Sequence, residues 1–125
     1  MRLSDAIREG CKTTTQEHGS YIERNDAGEP VRACALGAAM IGVGDNDYTN
    51  AMFELEVFWP ELDTGNRAMR HPCPAPFCPV AGNLFLVITH LNDTHCWTRE
   101  DIADFIDTLS IDLTPAPVVR EAVPA

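Results

Sequence analysis

The chain has 125 residues, 45% hydrophobic and 22% charged, which fits one domain that buries roughly two thirds of its unfolded surface. Nineteen Asp and Glu against nine Lys and Arg leave a formal net charge of -10, and such a surface repels phosphate backbones and anionic bilayers. That argues against nonspecific nucleic-acid and membrane binding and favours a soluble protein, or one that docks on a basic partner.

In chain order, Ser4 is placed to cap a first helix running to about Lys12, with Asp5 and Glu9 suited to its positive end. Residues 20–32, SYIERNDAGEPVR, read as a short β-hairpin with Asn25–Gly28 as the turn. Residues 32–42, RACALGAAMIG, read as a second helix of small residues that lets neighbours approach closely, ended by Gly42 and Gly44. Thr49 or Asn50 is placed to cap a third helix, AMFELEVFW, in which Met52, Leu55, Phe58 and Trp59 recur at helical spacing before Pro60. Residues 60–79 are a proline-broken loop.

Near Asn83 a fourth helix begins, with Leu84, Val87, Ile88 and Leu91 as its apolar stripe. The last helix is the best specified. Thr98 caps it, Asp101 stands where a capping-box carboxylate would, and Trp97 faces Ile102 as in a hydrophobic staple. Its other side, Glu100, Asp101, Asp104 and Asp107, is strongly acidic and is the expected partner-binding face. The expected fold is mainly α: a single-domain bundle of about five helices over residues 1–113, with a short β-hairpin and a Cys/His zinc knuckle. A Pro/Ala-rich tail, residues 114–125, is expected to be loose.

Residues 71–97 hold three of the five cysteines and three of the four histidines. Cys73, Cys78, His90 and His95 have the spacing C-x4-C-x11-H-x4-H, one residue short of the common Cys2His2 pattern. Prolines 72, 74, 76 and 79 stiffen the bend, so closing it around an ion costs less chain entropy. Four protein donors would make the zinc structural. His71 and Cys96 are substitute ligands. The bland alternative is that the cysteines are small buried hydrophobes and His90 a histidine at a helix C-terminus.

A DNA-reading finger fails on charge, because no Lys or Arg lies between Cys78 and His95. Asp45, Asp47, Thr49 and Glu56 loosely follow a calcium loop, but Asn50 stands where the sharp turn wants glycine. GVGD lacks the Lys and Ser/Thr of a phosphate loop. Cys73 or Cys96 with His95 and Asp93 makes a poor nucleophilic triad, since such groups usually converge from distant positions; Cys34 and Cys11 read as core residues. No catalytic residue is assigned. The N-terminus has no apolar signal region and no run is long enough to span a bilayer, so a cytoplasmic protein is expected.

CALGAA (34–39) and HLNDTHCWTREDIADFI (90–106) resemble segments of a loose group of small, uncharacterised bacterial and bacteriophage proteins. That group pairs a CALGAA-like helix with a later Cys pair and an HLND-x-H-x-WTRE-x-IAD segment. The resemblance implies a phage or bacterial setting and no activity. Taken together, the sequence favours a zinc-stapled protein that binds another protein, with a zinc-dependent or thiol hydrolase and a virion or assembly component as alternatives.

Overall fold

The structure, a computed structural model, describes residues 1–44, 51–62 and 70–109. Its elements are α1 (Leu3–Cys11), β1 (Thr15–Gln16), β2 (Ile22–Arg24), β3 (Pro30–Ala33), α2 (Ala35–Gly42), α3 (Ala51–Phe58), a 3-10 turn (Pro60–Leu62), β4 (His71–Pro72), β5 (Ala81–Gly82), α4 (Leu84–Asp93) and α5 (Arg99–Thr108). The expected capping residues Thr49 and Asn50, the calcium-like positions 45–50 and the tail 114–125 lie outside the described residues.

The fold is a small mixed α/β structure, which corrects the expectation of a mainly helical bundle with one hairpin. β2 and β3 pair antiparallel around the Asn25–Gly28 turn, but β1 adds to the other edge of β3 in parallel, giving the order β1-β3-β2. β4 and β5 form a second sheet. Strands of two residues are too short to show the period-2 alternation that reveals a strand in sequence. Arg32 and Ala33, assigned to the second helix by composition, instead complete β3. Cys34 then becomes the N-cap of α2, its Sγ accepting from the Gly37 N–H at 3.3 Å.

The first helix starts two residues earlier than expected, with Arg2 rather than Ser4 at its N-cap position. Ala6 N–H bonds to Arg2 O at 2.9 Å, so Ser4 lies inside α1, and its hydroxyl donates instead to Asp107 Oδ1 at 2.6 Å. α4 and α5 begin where polar caps demand: Asn83 Oδ1 accepts from Leu86 N–H and Thr98 Oγ1 from Asp101 N–H.

Leu3 and Ile7 of α1, Leu36 and Met40 of α2, Leu55 and Trp59 at α3, Leu84, Ile88 and Leu91 of α4, and Ile102 and Ile106 of α5 make one core. Small residues bring α1 and α2 together. A Cβ added at Gly42 would stand 2.0 Å from Ala6 O, and one at Gly10 would stand 1.9 Å from Ala38 O. The two backbones therefore touch, which only glycine permits at those points.

Two polar side chains tie the sheet to the helices. Asn92 is 1% exposed; its Oδ1 accepts from Ala35 N–H at 3.1 Å and Gln16 Nε2 at 3.0 Å, while its Nδ2 donates to Glu17 O at 2.8 Å and Asp93 Oδ1 at 2.7 Å. Arg99, 6% exposed, donates to Thr14 Oγ1, Thr14 O and Ala33 O. The HLND and WTRE segments thus organise β1, β3 and the start of α2. No helix among the described residues is long and apolar enough to cross a membrane.

Candidate metal centre

The proline-rich bend is built on β4 and β5. Past the two-residue ladder, Cys73 N–H bonds to Val80 O at 2.8 Å, and Cys78 N–H closes a turn on Ala75 O at 3.3 Å. This places both thiols toward α4, with Cys73 buried and Cys78 half-buried. The turn holds Phe77 at φ 61° with its ring fully exposed. A left-handed phenylalanine costs about 1–2 kcal/mol relative to an ordinary conformation, so the knuckle stores strain that its anchors must hold.

The second pair comes from the end of α4. His90 occupies the last turn, Thr94 N–H and His95 N–H both return to His90 O, and Trp97 N–H bonds to Leu91 O at 3.0 Å. The reversal passes through Cys96 at φ 53°. It stacks the His95 ring edge-on against His90, with centroids 4.7 Å apart and an interplanar angle of 87°. His90 Nε2 lies 3.3 Å from Cys78 Sγ.

One ligand atom from each of Cys73, Cys78, His90 and His95 lies within 4.8 Å of every other. Four points so close share a centre within about 2.9 Å of each, and zinc bonds to S and N are about 2.0–2.3 Å long, so inward movements of about 0.6–0.9 Å complete a tetrahedron. The group could therefore hold a metal ion. His95 Nε2 is buried without a hydrogen-bond partner, an orphan that a metal would satisfy and that a purely apolar role leaves costly. Burial, with the neighbouring Cys78, pushes the Cys73 thiol above its ordinary range, against a lowering contact from the Ala75 backbone. A cation reverses that preference, because a coordinating thiol is deprotonated outright.

The substitute ligands stay outside the four. Cys96 is exposed, its Sγ 3.9 Å from Asp93 O. His71 leaves β4 two residues before Cys73 and carries a buried, unpartnered Nε2 of its own, without joining the group. Of the weak triad, Asp93 Oδ1 accepts from Gly19 N–H and Asn92 Nδ2.

Comparison with known protein families, curated proteins and solved structures finds no match. The residues alone carry the functional reading.

The acidic side of α5 divides. Arg8 Nη2 bridges Asp104 Oδ1 at 2.8 Å and Asp107 Oδ2 at 2.7 Å. Burial alone would raise the Asp107 carboxyl, but the Ser4 hydroxyl and the Arg8 and Arg2 guanidiniums outweigh it and hold it below its ordinary value. Glu100 and Asp101 stand exposed in the first turn. Between α5 and the knuckle runs a shallow groove with Pro74, Trp97 and Phe105 as apolar walls and Asp101 and Asp104 beside them. Sequence reasoning missed this groove, because Pro74 joins it only through the folded knuckle.

Proposed function

We propose that this chain is a zinc-stapled protein of a phage or bacterial cytosol that acts by binding a basic protein segment. The observation that carries the metal half is the four-donor group with its orphaned imidazole nitrogen. Two thiolates and two neutral imidazoles neutralise a divalent ion, so the partly buried centre needs no further counter-charge. Four protein donors fill the tetrahedron, which favours a structural ion over a hydrolytic one that keeps an open position. The metal would hold the knuckle that forms one wall of the α5 groove.

The binding half is supported by that groove. Its apolar walls suit a methylene stem and Asp101, the groove carboxylate that Arg8 does not engage, suits a Lys or Arg head, which are the two ends of a basic side chain. A surface of net charge -10 adds long-range attraction that salt would screen. The test is retention of proteins from a bacterial lysate on the immobilised chain, compared with an Asp101→Lys, Phe105→Ser double variant. The expected result is a basic protein held at low salt by the parent, released at high salt, and lost with the variant. Equal retention by both chains, or none by the parent, would overturn the binding half.

A further inference from the structure

A second site lies on the far side of α4's last turns. A cavity of about 150 Å³ opens where the start of α2 meets α4 and the segment entering β2. Leu36 and Ile88 are buried and floor it, Tyr21 and Cys34 are half-buried along its sides, and Ser20 and Asp93 stand exposed at its mouth. None of its lining residues belongs to the Cys/His group. Its volume matches that of cavities that accept a benzene-sized molecule.

Charge decides what that molecule is. A helix N-terminus ordinarily favours anions, but three of the first four amides of α2 are already engaged: Ala35 N–H by Asn92 Oδ1, Gly37 N–H by Cys34 Sγ and Ala38 N–H by Cys34 O. No Lys, Arg or His lines the cavity among the described residues. The charged group there is the Asp93 carboxylate, oriented by bonds from Gly19 N–H at 3.0 Å and Asn92 Nδ2 at 2.7 Å. A thiolate nucleophile at Cys34 is disfavoured as well, since burial pushes its thiol up to about 11 and leaves it protonated near neutrality. The cavity combines a small apolar interior with a fixed negative mouth.

We infer that this cavity binds a small organic ammonium compound, its apolar body against Leu36 and Ile88 and its charged nitrogen at Asp93. The probes are benzylamine, benzyl alcohol and benzoate, three molecules of nearly one shape and three charge states, titrated into the full chain and followed by backbone amide NMR shifts. Benzylamine is expected to shift Gly19, Ser20, Leu36 and Asp93 saturably and to bind about fivefold more tightly than the alcohol, the upper end for an exposed ion pair. Benzoate is expected to bind more weakly than either. Asp93→Asn, which keeps an acceptor oxygen for Gly19, should erase the amine preference and leave benzyl alcohol affinity unchanged. Ser20→Trp, at an exposed position on the rim, should obstruct all three. The inference is overturned if benzylamine leaves those amides unmoved, if benzoate binds as well as the amine, or if the amine preference survives Asp93→Asn.

Discussion

Replacing Asn92 by alanine removes four hydrogen bonds, but they are not equal in consequence. Gln16 keeps Trp97 O at 2.6 Å, and Asp93 is exposed enough for water to take the place of Nδ2. The costly losses are the Ala35 N–H and the Glu17 carbonyl, both buried. A buried group left unsatisfied costs about 1–3 kcal/mol, so the variant should lose about 3 kcal/mol, with a small added cavity term. Against a total stability of about 5–15 kcal/mol, that lowers Tm by about 10 °C. Urea denaturation followed by circular dichroism and by Trp fluorescence measures it, and an unchanged m-value would show that stability changed without a change in the surface exposed on unfolding. A loss below about 1 kcal/mol would refute the view that Asn92 joins β1, α2 and α4.

Gly42→Ala should cost at least about 2 kcal/mol in the same assay, because the new methyl meets the Ala6 carbonyl and the helix pair must separate; a neutral effect would contradict direct backbone contact. Asp107→Asn tests the α1–α5 link. The folded carboxyl is held below its unfolded value, so its stabilisation is present above about pH 4 and is lost as pH falls through the lower, folded value. The variant should therefore be less stable at pH 7 by under about 1 kcal/mol for a partly exposed group, and should converge on the parent once pH falls below that folded value. Alkylation mapped by mass spectrometry should modify exposed Cys96 well before Cys34, whose thiol burial pushes up to about 11; equal rates at pH 8 would contradict that protected, protonated state.

The parts of the fold legible in sequence were those governed by neighbours. Thr98 and Asn83 announce helix starts because a capping side chain needs only the next three residues. The Cys/His spacing was legible for a similar reason, as it describes one turn and one helix end. What tertiary packing decides was not. β1 has two residues and forms only because β3 lies beside it, and Arg32 and Ala33 left the helical composition of their segment to join that sheet. Arg8 neutralises part of the expected α5 face from residues nearly a hundred positions away. Two further signals of tertiary structure stand in the sequence. Asn92 follows Ile88 by four residues, on the apolar side of α4, where an amide must have partners. Arg99 opens a helix whose first turn favours acids, a hint that its charge serves something else.

Zinc content measured on the purified chain tests the central claim most directly, with Cys78→Ser and Cys34→Ser measured beside it by elemental analysis. About one zinc per chain is expected for the parent and for Cys34→Ser, and almost none for Cys78→Ser, since a structural site binds with an apparent free energy of about 10–16 kcal/mol. A folded parent that holds no zinc after purification in its presence, or a Cys78→Ser protein that holds as much as the parent, would contradict a metal-held knuckle.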